Sequence, residues 1–474
     1  MTKNNPVRLI PLAAALLGII LIIIWQLSCT FEDLPERVPH IDKSTEKQPQ
    51  EKFTGSLNGK LEKFDGKPDA LKDCWPRFRG KNFDGIYQND NIDLARTFPA
   101  DGPKILWEIP LGEGHAGAVI YAGRVYILDY DRTDQKDMLR CLSLTDGKDI
   151  WRYSYPVKIK RNHGMSRTVP AVSDKYIVSI GPKCQVLCLD VLTGEFRWAL
   201  DLVKQYQTKV PLWYAGQCPL IDEHNRAIIA PAGKDIMMMA VDCDTGKTAW
   251  TTPNPHHWQM THSSIIPMEC DGKRMYIYCA SGGVVGVSAD DGKILWETTD
   301  WMIRTATVPS PVVIDQHRIF FSGGYNAGSL MLRVFKDKQR YHTETLFKLE
   351  PTVFGAEQHT PILFNNHIYG VRQEDEQMVC LDLSGNVIWS SGTTHRFGEG
   401  PGSAPYMIAN GLIYALNNAG LLRLIEATPT KYHQLAQAQV ITDAHDPWGP
   451  MALADGRLII RDLTRMYCLD ISAP

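Results

Sequence analysis

The sequence predicts an all-β fold: an eight-bladed β-propeller of four-stranded antiparallel blades, closed into a ring by a strand at residues 103–109, with one hydrophobic helix near the N-terminus. Two recurring motifs and one mismatched pair of ends carry this expectation. The first motif is a Gly turn followed by Trp. It reads Asp146-Gly-Lys-Asp-Ile-Trp151, Thr193-Gly-Glu-Phe-Arg-Trp198, Thr245-Gly-Lys-Thr-Ala-Trp250, Asp291-Gly-Lys-Ile-Leu-Trp296 and Ser384-Gly-Asn-Val-Ile-Trp389. The tryptophans are 47, 52, 46 and 93 residues apart, so a degenerate copy is expected near Phe347, and Trp107 lies one period before Trp151. The second motif is a small or polar residue, usually a Pro, and an apolar run. It recurs eight times, at Ala116, Thr168, Gln217, Ser263, Pro309, Thr360, Ser403 and Gly449.

Residues 9–25 are apolar and uncharged, with Lys3 and Arg8 before them and Glu32, Asp33 and Glu36 after. The run is about long enough to cross a bilayer, and the charge asymmetry puts the bulk of the chain outside the cytoplasm. Residues 1–29 are read as a signal anchor contacting the cytoplasmic membrane. A cleaved secretory leader fits the same pattern, as does a lipoprotein acylated at Cys29. All three place the propeller on the extracytoplasmic, periplasmic side. Residues 30–73 are polar and cannot build a core alone, so they are expected to form a flexible linker before the propeller at 74–474.

Within each period of about 45 residues, four short strands fit a propeller blade. Asp271-Gly272, Asn410-Gly411 and Asp455-Gly456 mark hairpins between apolar runs. Trp107, Trp151, Trp198, Trp250, Trp296 and Trp389 are read as structural residues filling the wedge between blades. The ends complete one another. Tyr467-Cys-Leu-Asp-Ile matches the third-strand sequence Leu187-Cys-Leu-Asp-Val, but no Trp strand follows it. Strand 103–109 with Trp107 supplies the missing fourth strand and removes an exposed edge.

The eleven cysteines are read through the repeat. Cys141, Cys188, Cys380 and Cys468 recur at one strand position, where Ala240 and Gly286 stand in two other blades. Equivalent positions in separate blades are too far apart to bridge, so these are small core residues. Cys74, Cys270 and Cys279 are left unassigned, and no metal site is expected. The formal net charge of −3 excludes the basic footprint of a nucleic-acid binder.

The Thr-Gly-Lys-x-x-Trp unit and its period resemble the PQQ-like repeat family, over about residues 74–474. Cys74-Trp-Pro-Arg-Phe-Arg-Gly80, followed by Asn82-Phe-Asp-Gly85, is similar to the Trp-Pro-x-Phe-Arg-Gly opening segment of secreted PQQ-like propellers. Arg461 to Asp470 resembles their closing strand. The resemblance implies one of two roles: a quinoprotein alcohol dehydrogenase with pyrroloquinoline quinone (PQQ) and Ca²⁺, or a non-enzymatic scaffold like the propeller subunit of the outer-membrane β-barrel assembly machine.

Quinoproteins of the alcohol-dehydrogenase type often carry adjacent cysteines and a CxxCH haem motif. This chain has neither. It also lacks nucleophile-elbow, Walker and HExxH motifs. The favoured expectation is a membrane-tethered binding or scaffold module, a monomeric ring holding an envelope protein partner, with no cofactor. Candidate residues precede the innermost strands, whose loops converge at one channel mouth. They are His115, His163 with Ser166 and Arg167, Trp213, Tyr214, His262, Arg304, Gln358, His359, Arg396 and Trp448. A PQQ- and Ca²⁺-dependent oxidoreductase is the alternative, with Glu357 or Glu399 as base. A small-ligand or carbohydrate sensor stacking on Trp213, Tyr214 and Trp448 is the third reading.

Overall fold

A computed structural model describes Gly18, Ile19, Leu21, Leu57, residues 59–398 and residues 405–473. The expected N-terminal helix over 9–25, Cys29 and Glu399 lie outside the described residues, apart from Gly18, Ile19 and Leu21. Among the described residues no helix is long and apolar enough to cross a membrane.

Eight antiparallel sheets form the blades. Blade 1 comprises Val119–Tyr121, Arg124–Asp131, Lys136–Ser143 and Asp149–Pro156, ordered from the axis outward. Blades 2 to 7 span residues 171–201, 220–253, 266–298, 312–349, 362–390 and 406–439. Blade 8 combines Ala452–Ala454, Arg457–Arg461 and Arg465–Asp470 with Lys104–Pro110, which pairs from Lys104↔Asp470 to Pro110↔Arg465. The ring therefore closes through the early strand that the repeat register demands.

The two motifs have separate jobs. Each repeat Trp stands opposite the small third-strand residue: Trp107↔Cys468, Trp151↔Cys141, Trp198↔Cys188, Trp250↔Ala240, Trp296↔Gly286 and Trp389↔Cys380. Phe347, opposite Met331, is the degenerate copy. The indole then docks on the Gly turn of the following blade. Trp107, Trp151, Trp198 and Trp250 donate Nε1–H to the carbonyls of Leu144, Leu192, Cys243 and Ala289 at 2.9, 3.1, 2.9 and 3.2 Å. A Cβ on Gly194, which sits at φ 73°, would lie 2.7 Å from the Trp151 ring. The Gly thus serves both the turn and the close approach of the preceding Trp. Trp296 instead donates to its own blade's Met275 Sδ at 3.3 Å, because blade 5 replaces the Gly turn by a hairpin between Gly328–Asp337 and Arg340–Leu349.

The small residue of the second motif links blades around the axis. Val169 N–H donates to Cys218 Sγ (3.2 Å), Cys218 N–H to Ser264 Oγ (3.0 Å), Ser264 N–H to Ser310 Oγ (2.9 Å) and Ser310 N–H to Thr360 Oγ1 (2.9 Å). These residues lie just before the inner strands, and the side chains satisfy backbone donors that would otherwise be buried and unpaired. The described cysteines are free thiols.

The stretch expected as a linker ends earlier than residue 73. Lys60–Lys63 adds a fifth, outermost strand to blade 1, with Lys63 opposite Trp151, and Leu57 is buried. A polar segment needs no core of its own when it pairs with an open blade edge. Residues 73–95 then cross one end of the ring. Trp75 bridges Ile120 of blade 1, Pro76 accepts from Val172 of blade 2, and Arg77 donates to Ile221 of blade 3. Ile86–Tyr87 runs parallel to the inner strand Tyr406–Ala409 of blade 7, and Leu94 bridges Ser472 beside blade 8. Arg79 is fully buried and donates to four carbonyls, of Phe83, Asp84, Thr360 and Pro361. The Trp-Pro-x-Phe-Arg-Gly motif is therefore a plug.

Candidate functional site

The inner strands run away from one channel mouth toward the plug, so the loops before them and the hairpins between the second and third strands share the open end. There they enclose a cavity of about 370 Å³. Phe78 of the plug contributes to its wall, with Val169, Cys218, Val308 and Pro450 as further small or apolar lining residues. Nine of the sequence candidates line it: His115, His163, Arg167, Trp213, His262, Glu357, Gln358, His359 and Trp448.

Four others lie elsewhere. Tyr214 follows Trp213 but turns away, donating its hydroxyl to the Lys160 carbonyl. Arg304 is exposed between buried Ile303 and Ala306, and Val308 reaches the cavity in its place. Arg396 is exposed and bridges Gln377 at the outer part of its loop. Ser166 is buried beneath the mouth, where its carbonyl accepts from His115 N–H at 2.7 Å. Tyr325 joins the lining from the hairpin after Arg318–Gly323, outside the loops before inner strands that the repeat pattern points to. The Gly323-Gly324 pair beside it was the available signal. A Cβ on Gly324 would meet Glu357 Cγ at 2.8 Å, so only Gly lets this hairpin close over the carboxylate.

The mouth is built from stacked rings on strained backbone. Trp213 and Tyr325 stack with centroids 6.4 Å apart and planes 16° from parallel; His262 lies 6.0 Å from Trp213. On the opposite side His115 stacks on Trp448 at 5.0 Å, and Trp448 Nε1–H donates to Asn418 Oδ1 at 3.0 Å. His163, Trp213 and Tyr325 have φ of 50°, 64° and 56°, which bulky side chains adopt only when the surroundings hold them there.

The charge in the cavity is concentrated. Arg167 is held by the carbonyls of Trp213, Asn162 and His163, and burial lowers its pKa to about 10, so it remains a cation at neutral pH. Burial, then the Arg167 charge, pushes His262 down to about 4 and His115 well below its ordinary value. Both imidazoles are therefore neutral. Burial, with Glu357 adding to it, raises Tyr325 to about 12, so it stays a phenol. Glu357 is the one carboxylate among the described lining residues.

This donor set does not fit a Ca²⁺-dependent quinone. Calcium takes about six to eight oxygen ligands, usually several of them carboxylates. The described lining residues offer one carboxylate, the Gln358 amide, the Tyr325 phenol and the Ser264 hydroxyl, which already accepts from Cys218 N–H. Its four imidazoles supply the wrong donor type. Among the described residues they form no group of three or more metal-ligating side chains with Glu357. Glu399 lies outside the described residues.

Comparison with known proteins agrees with the fold. The profile of a PQQ-repeat family described as outer membrane protein assembly factor BamB matches residues 135–391. A quinoprotein alcohol dehydrogenase, PedH of Pseudomonas putida, is 24% identical over 173 residues; the match covers 34% of this chain and 27% of that relative. The chain thus spans about a quarter of that enzyme's length. The crystal structure of BamB from Moraxella catarrhalis superposes with a TM-score of 0.52 at 13% identity, covering 77% of this chain and 99% of that one. That likeness speaks for the fold alone.

Proposed function

Because the chain belongs to the PQQ-repeat propeller family described as outer membrane protein assembly factor BamB, we propose that it is a non-enzymatic binding module, tethered through residues 9–25 with its ring on the extracytoplasmic side. Its axial cavity receives a compact anionic group on a flat apolar support, presented by an envelope protein partner. The observation that carries this reading is the cavity's composition. A half-buried guanidinium, the neutral imidazoles of His115 and His262, and stacked rings face one carboxylate. Few convergent polar groups in an apolar concavity suit recognition. A second carboxylate for a cation, which the oxidoreductase alternative needs, is missing from the described lining residues.

The test uses the full-length protein in detergent. PQQ, a flat polycarboxylate, is titrated calorimetrically with and without Ca²⁺, and alcohol-dependent dye reduction is followed in parallel. The expected outcome is no Ca²⁺ enhancement and no dye reduction. Ca²⁺-dependent binding with dye turnover abolished by Glu357→Gln would overturn the non-enzymatic reading. Photo-crosslinking from position 212, at the exposed rim beside Trp213, then distinguishes a protein partner from a free small acid. A discrete crosslinked protein lost in Arg167→Gln supports the partner; its absence, with Arg167-dependent binding of small acids, assigns the cavity to a soluble ligand.

A further inference from the structure

We propose that Cys270, Asp271 and His317 form a zinc-binding site between blades 4 and 5, at the end of the ring opposite the cavity. They occupy two neighbouring hairpins, each joining the first and second strands of its blade. Cys270 ends Ile266–Cys270, and Asp271-Gly272 turns into Lys273–Ala280. His317 lies in the turn before Arg318–Gly323. That turn is fixed by the Asp315 carboxylate, which accepts from the backbone N–H groups of His317 and Arg318, both at 2.8 Å.

One ligand atom from each residue lies within 4.8 Å of the other two. Cys270 Sγ is 3.8 Å from Asp271 Oδ2, and it also lies 3.6 Å from His317 Nδ1, the ring nitrogen that does not serve as the ligand. His317 Nε2 is 3.6 Å from Asp271 Oδ1. Around tetrahedral zinc, with bonds of about 2.0–2.3 Å, neighbouring donor atoms sit roughly 3.3–3.7 Å apart. Small side-chain rotations therefore suffice to close the site.

The orientation of the imidazole is an independent indication. His317 Nδ1 lies 3.2 Å from the Val334 carbonyl and donates to it. His317 Nε2 then faces the Asp271 carboxylate at 3.6 Å, too far for a hydrogen bond. A carbonyl that fixes one ring nitrogen and leaves the other free is the usual support of a metal-bound histidine. On binding, the Cys270 thiol releases its proton to solvent. Thiolate and carboxylate then match the two charges of the ion. Mixed sulfur, nitrogen and oxygen donors select zinc over calcium or magnesium. Asp271 and His317 are both partly exposed, with side-chain accessibilities of 39% and 43%, leaving an entry path and a fourth position for water.

The experiment titrates Co²⁺, then Zn²⁺, into metal-free full-length protein kept reduced by a phosphine. One equivalent of Co²⁺ is expected to give a thiolate-to-cobalt charge-transfer band that Zn²⁺ displaces, and Zn²⁺ is expected to raise the melting temperature. Cys270→Ser abolishes the band. His317→Ala and Asp271→Asn, both at partly exposed turn positions, weaken Co²⁺ binding by more than about tenfold. Cys74→Ser, at the one described cysteine that is not buried, leaves the band intact. No band in the wild type, or one that survives Cys270→Ser, overturns the proposal.

Discussion

Asp137 should make the ring less stable as pH rises toward neutrality. It lies in Lys136–Ser143 opposite Tyr155 and is fully buried. The Tyr155 hydroxyl donates to Oδ2 at 2.5 Å, while Oδ1 and the nearby Gln185 Oε1 are buried without partners. Gly181 of blade 2 closes the pocket; a Cβ there would lie 2.2 Å from the Tyr155 oxygen and 2.6 Å from Asp137 Oδ2. Burial, reinforced by Asp129 and opposed by Tyr155, raises the carboxyl to about 7. In the unfolded chain it titrates near ~3.9. Between those values the folded state binds more protons, so stability falls with rising pH across the window and is level above it. Three pH units at about 1.4 kcal/mol each set a scale of about 4 kcal/mol. Asp137→Asn cannot ionise and loses this slope. The assay is urea unfolding of wild type and variant at pH values near the two ends of the window. The variant should gain on the wild type by about 3–4 kcal/mol at the alkaline end relative to the acid end. A difference that does not change with pH refutes the assignment.

Other variants test the joints between blades and the plug. Gly194→Ala meets both a positive φ and the Trp151 ring and should cost about 2–4 kcal/mol; Gly272→Ala, at φ 72° with nothing within 4 Å, should cost only about 1 kcal/mol. Comparable losses in thermal or urea melts would show that Trp docking places no demand on the Gly. Ser310→Ala leaves the Ser264 N–H buried without its acceptor and should cost about 1–3 kcal/mol. Ser310→Cys, which imitates Cys218, should recover part of that loss in the same melts. Arg79→Met strands four carbonyls and should lower the melting temperature markedly, while raising hydrogen exchange over residues 75–87 more than over blade 4.

The blades were legible because their spacing rules leave chemical marks. A Trp that packs on the next blade's turn forces a Gly there, and a small residue must face that Trp across the strand pair. Gly194, Trp151 and Cys141 therefore record one contact three times. Closure followed from the same bookkeeping, since Trp107 could only be opposite Cys468. What escaped had no repeat to betray it. Lys60–Lys63 reads as polar linker because an added edge strand draws its partners from the blade it joins.

Around the axis, distance along a loop decided which candidates met. His115, His262, Glu357 and Trp448 stand a few residues before inner strands, where the chain has already reached the channel. Arg396 stands farther back, while its loop is still crossing from the rim. Residue type alone could not separate these cases, because an Arg or His suits either place. Tyr325 shows the converse, since a hairpin on the same end of the ring can contribute as much as an entry loop. The strain at Trp213 and Tyr325 then gives a reason to place recognition here. Two large side chains held at φ of 64° and 56° are costly unless their stack is wanted where it stands, over the charged cavity that the plug closes from below.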